Sequence, residues 1–258
     1  MPTQPAYSRF FCARIPGVPM RFTVSAAAVL LAFASLPVLA LPDPDDGWSG
    51  TGELGVAISK GNTDSQTVVA KMALAKEDVL WKHAARAAFL HGESDDLETA
   101  RRYELYGSSG RRLGARSRVF GSARNERDRF AATEYQWTVS VGYGLEAIDS
   151  DTTQLTFEIG PGYRWSKAQG VRDHDNGGIV RGGMEFRHQL TATTTLYDTL
   201  LVEAGDENTF IRNELGLQVS MTDALALKAG FELRHNTERS EDTRRTDTLT
   251  TVNIVYGF

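Results

Sequence analysis

The chain has 258 residues, which suits one or two soluble domains or a single membrane barrel. After Ala40 no run of 18 consecutive apolar residues occurs, so a helical membrane protein is excluded. Residues 41–258 carry 25 basic and 33 acidic side chains, a balance of 25 − 33 = −8. A nucleic-acid-binding protein neutralises phosphates with basic residues, and this balance argues against that class.

The first 40 residues have the pattern of a secretory signal peptide. Three arginines and no acidic residue precede or flank an apolar run from Phe22 to Leu36, and small or aliphatic residues lead up to Ala40. The run is shorter than the about 20 residues that a spanning helix needs. We therefore expect a signal peptide over residues 1–40, with an uncleaved anchor as the alternative and Met20 as an alternative start. The single cysteine, Cys12, lies in this leader, so we expect no disulfide in the mature chain.

Residues 41–49 contain two prolines and three aspartates, and they are predicted to form an exposed periplasmic lead-in. The rest of the chain alternates apolar with polar or small residues in segments of about ten residues, the length of a tilted membrane strand. The clearest segment places seven apolar residues on one face, namely Tyr135, Trp137, Val139, Val141, Tyr143, Leu145 and Ala147. A period of two indicates strands with two unlike faces.

The polar face of these segments is rich in charged residues and glycine, which distinguishes two all-β architectures. A soluble sandwich turns its apolar faces inward and needs a second sheet to cover them. A membrane barrel turns its apolar face to lipid and its polar face to the lumen. The sequence therefore predicts an all-β fold over residues 50–258, a transmembrane antiparallel up-and-down β-barrel of about twelve strands.

The predicted strands are separated alternately by tight connections and by mostly longer, charged ones. This alternation is typical of a barrel with short periplasmic turns and longer external loops, and an even strand count places both termini in the periplasm. The ninth strand fits least well, because Asp198 falls on the face predicted to meet lipid, and we expect a bulge or a change of parity there. The predicted spans are Gly50–Lys60, Ser65–Lys76, Leu80–His91, Ala100–Arg111, Arg116–Asn125, Glu134–Ile148, Thr153–Trp165, Gly178–Gln189, Thr193–Gly205, Thr209–Met221, Leu225–Asn236 and Arg245–Phe258.

The chain ends in Tyr256-Gly257-Phe258. Apolar or aromatic residues at alternate positions up to a terminal phenylalanine resemble the signal that barrel-assembly machinery reads in outer-membrane proteins. Such machinery can pair with the last strand while that strand is still an open edge. We therefore predict Tyr256 and Phe258 as the assembly signal, the assembly machinery as a partner, and the bacterial outer membrane, with its lipid and lipopolysaccharide, as the location.

Two stretches carry a family resemblance. Gly47-Trp48 is followed by Gly50, Gly52, Gly55 and the turn Gly61-Asn62-Thr63-Asp64, and the chain closes with residues 247–258. This arrangement resembles the YdiY-type family, a domain of unknown function whose members are described as salt-induced outer-membrane proteins. The resemblance covers residues 48–258 and implies a barrel in the outer membrane. It implies no substrate, cofactor or catalytic residue.

The polar face supplies the candidate functional residues. Setting the ninth strand aside, parity places twelve basic and eight acidic residues there. One interpretation is a narrow channel with a weak preference for anions, because charged rings set selectivity. The other is a closed structural barrel in which these charges pair across the lumen, since about twelve strands make a narrow barrel. The main lumen-lining candidates are Lys82, Arg86, Arg102, Glu104, Glu158, Arg164, Arg181, Glu185, Arg187, Arg212, Glu214, Glu232 and Arg234.

Asp173-His174-Asp175, in a predicted external loop, is the one stretch that suggests catalysis or a divalent cation. A surface hydrolase needs a second acidic pair, for which Asp95-Asp96 is the available candidate. A hydrated loop explains both stretches more simply, because Asn176 and Gly177 follow directly. We therefore predict no enzyme, no cofactor and no metal site, and the leading hypothesis is a small channel or an osmotic-stress envelope protein.

Overall fold

A computed structural model describes residues 47–60, 65–94, 97–131, 133–169, 175–237 and 244–258. The predicted signal peptide, the lead-in before Gly47 and the Gly-Asn-Thr turn lie outside the described residues. Asp95, Asp96, Asp173 and His174 lie outside them as well. Within the described ranges, no helix has the length and apolar character to cross a membrane.

The described residues form twelve antiparallel strands that close into one barrel, each strand pairing with its neighbours in sequence and β12 with β1. The prediction of twelve strands is confirmed, and no predicted boundary is off by more than three residues. The strands are β1 Trp48–Lys60, β2 Ser65–Glu77, β3 Trp81–Ser94, β4 Leu97–Arg112, β5 Ser117–Asp128, β6 Thr133–Asp149, β7 Thr153–Ala168, β8 Asp175–Gln189, β9 Thr194–Gly205, β10 Thr209–Ser220, β11 Leu225–Asn236 and β12 Thr246–Gly257.

The two faces of the sheet differ as the alternation predicts. In β6, Val141 is 63% exposed although it is aliphatic, whereas the neighbouring Ser140 is 6% exposed. In β7, Ile159 is 62% exposed, whereas Arg164, which has the opposite parity, is 5% exposed. Apolar side chains therefore form the outer surface and polar side chains fill the interior, which is the arrangement that lipid requires.

One end of the barrel carries tight turns after β2, β4, β6, β8 and β10, together with both ends of the described chain. We call it the short-turn end. Asp78 shapes the first of these turns, because its carboxylate accepts hydrogen bonds from the backbone N–H groups of Trp81 (2.7 Å) and Leu80 (2.8 Å). These bonds stabilise the ionised form and lower the pKa of the exposed Asp78 carboxyl group.

Several external connections are shorter than predicted. Residues 92–99 were predicted to be a loop, yet β3 continues to Ser94 and β4 begins at Leu97. A register shift between Gly92 and Glu93 accommodates the extra residue, so pairing continues past the predicted boundary. The predicted loop over residues 166–177 is shortened in the same way, because β7 runs to Ala168 and β8 begins at Asp175.

The prediction of a bulge or changed parity in the ninth strand is wrong. Strand β9 pairs with β8 and β10 without a register shift, and Asp198 remains on the outer face. There the side-chain amide of Asn213 in β10 donates a hydrogen bond to it, with Nδ2 2.6 Å from Oδ1. A bulge occurs instead between Glu146 and Ile148 of β6, which takes Ala147 out of the predicted alternation and leaves Ile148 42% exposed.

The seam between β1 and β12 is closed by the C-terminal residue. The backbone groups of Gly50 and Phe258 bond to each other in both directions, at 2.8 and 3.0 Å. A Cβ atom at position 50 would lie 2.3 and 2.4 Å from Phe258 ring atoms and 2.9 Å from the Leu74 side chain. Glycine at this position therefore leaves the space that the terminal ring occupies.

Replacing Gly50 by leucine is expected to weaken the seam, because the Phe258 ring must leave its place. Overpacking of this kind costs about 1–3 kcal/mol. The urea midpoint for unfolding from lipid vesicles should fall. Gly52→Leu is the matched control, since a Cβ atom there meets nothing within 4 Å. Equal midpoints for the two variants would contradict this account of the seam.

Candidate functional site

The interior of the barrel contains arginine–glutamate pairs that join opposite walls. Strand parity sends these side chains inward, and the narrow barrel lets an arginine from one wall reach a carboxylate on the other. We use the term cross-lumen pairs for Arg212–Glu104, Arg234–Glu126, Arg102–Glu232 and Arg86–Glu185.

Two cross-lumen pairs join strands that lie six positions apart in the ring of twelve, which is diametrically opposite. Arg212 of β10 donates from Nη1 to both carboxylate oxygens of Glu104 in β4, at 2.6 and 2.5 Å. Arg234 of β11 donates from Nη2 to Glu126 in β5. Side chains that meet from opposite walls lie across the axis of the barrel, so these two pairs span the lumen.

The other two cross-lumen pairs differ from each other in hydration. Arg102 and Glu232 are 3.0 Å apart, and their side chains are 15% and 9% exposed. Arg86 and Glu185 are 2.7 Å apart, and theirs are 51% and 53% exposed. Both members of the exposed pair lie toward the short-turn end of their strands, as does the exposed Arg187. The lumen is therefore more accessible to water toward the short-turn end than farther in, and we call the accessible part the vestibule.

The most buried ion pair in the described lumen joins Arg124 and Glu203, which are 4% and 1% exposed. Arg124 Nε lies 3.2 Å from Glu203 Oε1, and its Nη2 donates to Oε2. Gln136 donates to the same carboxylate at 3.0 Å, and Arg124 also donates to Glu126 at 2.5 Å. This group links β5, β6 and β9 with hydrogen bonds that satisfy the buried charges.

A second group of charges lies between β1, β2, β10 and β11. Lys228 is 3.1 Å from Glu53 and 3.3 Å from Glu214, and Lys71 is 3.3 Å from Glu214 on the other side. Tyr197 donates its hydroxyl to Glu214 at 3.2 Å, and the Lys228 ammonium lies 4.6 Å from the centre of its ring. These contacts link β9 to the neighbouring β10 and to β11, and through Glu53 and Lys71 the group extends to β1 and β2.

The remaining predicted residues each contact one or two partners. Glu158 accepts from Arg118 and Arg181, both at 2.8 Å. Arg164 donates to the backbone oxygen of Asn208 at 2.7 Å. Lys82 is 3.3 Å from Glu77 on the neighbouring strand, at the rim of the short-turn end.

Sequence reasoning missed Glu126 and Glu203. Glu126 was assigned to a loop, although β5 continues to Asp128. Glu203 was omitted because the ninth strand was set aside, yet it has the inward parity of Tyr197 and Leu201. Both glutamates accept hydrogen bonds from lumenal arginines, so the predicted excess of basic over acidic residues is smaller than parity indicated.

Free volume next to the cross-lumen pairs is small. A cavity of about 70 Å³ is lined by Arg86, Glu104, Glu185 and Arg212 among others, and another of about 60 Å³ is lined by Arg102 and Arg234 among others. Spaces of this size hold a few water molecules. Water molecules therefore fit beside the cross-lumen pairs.

Most of the possible catalytic or metal site lies outside the described residues. In the part of the chain that the structure describes, no group of three or more His, Cys, Asp or Glu residues is placed to hold a metal ion. Of the predicted triplet, Asp175 alone is described. It begins β8, and its backbone oxygen accepts a hydrogen bond from Ser166 at 3.2 Å.

Two solved structures share the barrel fold. A NanC porin aligns with a TM-score of 0.54 and 11% identity, covering 80% of this chain and 98% of the porin. The translocator domain of the autotransporter NalP from Neisseria meningitidis aligns with a TM-score of 0.50 and 13% identity, covering 90% of this chain and 93% of the domain. At these identities the likeness concerns the fold alone, which is that of an outer-membrane β-barrel.

One protein relative is similar over most of its length. The uncharacterized protein YdiY of Escherichia coli (strain K12) is 26% identical over 218 residues, which is 82% of this chain and 83% of the relative. The family model described as "Protein of unknown function, DUF481" matches residues 52–258, nearly the whole barrel. The chain therefore belongs to the DUF481 family, the YdiY-type family that its terminal stretches resemble.

Proposed function

We propose that the protein is a narrow outer-membrane channel for small charged solutes, closed in the conformation described here by the cross-lumen pairs. The observation that carries the proposal is the contact between diametrically opposite walls, Arg212 with Glu104 and Arg234 with Glu126. A water-accessible vestibule leads to this closure from the short-turn end. Separation of a few side-chain contacts would therefore join the vestibule to the rest of the lumen.

The chemistry of the closure favours a channel over a static barrel. Burying an ion pair costs desolvation energy, and apolar side chains of similar volume often stabilise a fold as well or better. A barrel that only had to be filled would gain nothing from pairs such as Arg102–Glu232, whose side chains are 15% and 9% exposed. Charged pairs, unlike packed hydrocarbon, can separate and become hydrated when ions enter.

The proposed location rests on the sequence pattern and on the outer face. The predicted signal peptide and the terminal Tyr256 and Phe258 suit export and recognition by barrel-assembly machinery. The outward Val141 and Ile159 suit contact with lipid. The name of the NanC structure describes a porin, which agrees with transport as the kind of function.

Selectivity for anions is expected to be weak. The additional carboxylates Glu126 and Glu203 offset part of the predicted basic excess. Arg86 and Arg187 face the vestibule with Glu185, so the short-turn end retains a slight excess of positive charge.

Planar-bilayer conductance of refolded residues 41–258 tests the proposal. We expect small, infrequent steps whose size rises more steeply than bulk conductivity between about 0.1 and 1 M salt, because ions screen the pairs that close the lumen. Folding is verified first by the change in gel mobility on boiling. A silent bilayer at every salt concentration, from protein shown to be folded, would favour the alternative of a closed structural barrel.

A further inference from the structure

The outer face of the barrel carries a polar pair at membrane depth. Asp198 lies on β9 between Leu196 and Leu200, and its cross-strand neighbours are Phe186 and Leu215. It is four residues from the start of β9 and seven from its end, or about 13 and 23 Å of strand. With strands tilted about 40°, both distances place Asp198 inside the apolar band of about 25 Å.

A carboxylate facing lipid is costly, and an intramembrane ionisable residue generally has a specific partner. Asn213 is one such partner. Its Nδ2 donates to Asp198 Oδ1 at 2.6 Å and to the backbone oxygen of Thr199 at 3.2 Å. Within the described residues, Oδ2 of Asp198 accepts no hydrogen bond. Oδ2 can therefore accept a hydrogen bond from a group outside this barrel.

We propose that this face is the contact between two copies of the chain in the membrane, with Asp198 and Asn213 at its centre. The pair is self-complementary across a two-fold axis, because each copy offers a carboxylate oxygen and an amide donor. The amide hydrogen donated to the Thr199 oxygen makes the longer contact, 3.2 Å against 2.6 Å, and in the dimer it would be shared with the partner's Asp198. Hydrogen bonds of this kind associate membrane segments, where apolar surfaces alone provide no hydrophobic driving force.

The surroundings fit a protein contact. Leu196, Leu200 and Leu215 surround the polar pair, and at a contact between two copies such a ring of apolar side chains would exclude water from it. The pair also lies on neighbouring strands of unshifted register, so its position is fixed by the sheet. This inference is independent of whether the lumen conducts.

Disulfide cross-linking in lipid vesicles tests the proposal. Residues 41–258 contain no cysteine, so Leu200→Cys places a single thiol beside the polar pair, and Ile254→Cys places one on the outer face of β12, three strands away. We expect oxidation to give a covalent dimer from Leu200→Cys and little from Ile254→Cys. Equal cross-linking at the two positions would overturn the proposal.

Adding Asp198→Leu to Leu200→Cys separates this contact from a general role in folding. Removing a carboxylate from the lipid face should raise the urea midpoint of unfolding while reducing the dimer several-fold. Asn213→Leu removes the donor and should reduce the dimer in the same direction. Thr250→Leu, which removes a polar group from the outer face of β12, should leave it unchanged. A dimer that persists in both Asp198→Leu and Asn213→Leu would overturn the role of the pair.

Discussion

Replacing Arg212 and Glu104 together by alanine is expected to convert rare, small conductance steps into frequent steps that are several-fold larger. The two side chains meet between opposite walls at 2.5 and 2.6 Å, and truncating both removes one of the two pairs that cross the axis, leaving Arg234–Glu126. Changing both members avoids leaving one charge unpaired in the interior, which would destabilise the fold instead. The measurement is single-channel conductance in planar bilayers.

The matched control removes one basic and one acidic residue from the rim. Lys82 and Glu77 lie opposite each other on neighbouring strands, 3.3 Å apart, at the short-turn end. Their double alanine variant has the same change in charge without a change at the axis, and its conductance should equal that of the wild type. If the rim variant conducts as well as the Arg212 and Glu104 variant, the closure does not lie at the cross-lumen pair.

Replacing Glu203 by glutamine is expected to give the largest loss of stability. Glu203 and Arg124 are 1% and 4% exposed, so the variant leaves a buried guanidinium with one carboxylate, Glu126, in place of two. Breaking a buried pair costs about 3–5 kcal/mol, and because Glu126 remains we expect the lower end, about 3 kcal/mol. Urea unfolding from lipid vesicles, followed by tryptophan fluorescence, measures the change.

Glu185→Gln is the control for burial. Its pair with Arg86 has the same residue types and a similar distance, but both side chains are about half exposed to the water of the vestibule. Solvent screening reduces such a pair to about 0–1 kcal/mol. Equal losses in the two variants would show that burial does not determine the contribution of these pairs.

The sequence predicted the barrel because lipid and lumen impose opposite demands on neighbouring residues. Val141 and Ser140 of β6 illustrate this, since the aliphatic one faces outward and the hydroxyl faces inward. The predicted strands were too short mainly at their external ends. Charged and glycine-rich residues such as those after Trp165 look like loop residues, yet hairpins continue beyond the membrane because their backbone pairing does not depend on an apolar face.

The sequence could not predict which lumenal arginine pairs with which glutamate. Arg212 and Glu104 are 108 positions apart, and their contact depends on how far the strands are staggered around the closed barrel. Alternation places each of them on the inner face and says nothing about their height along the axis. The prediction of a bulge at Asp198 was wrong for a different reason. The charge of Asp198 argued against the lipid face, but Tyr197 and Glu203 make contacts inside the barrel, and with β9 in that register Asp198 lies outside.

A charge-exchange experiment tests the proposed closure most directly. Glu104→Arg alone sets two guanidinium groups against each other across the lumen, and Arg212→Glu alone sets two carboxylates against each other. Each single variant should conduct in frequent, large steps, and the double variant, which restores an attractive pair with its ends exchanged, should return to the low conductance of the wild type. A double variant that conducts like the single variants would contradict the claim that this cross-lumen pair closes the channel.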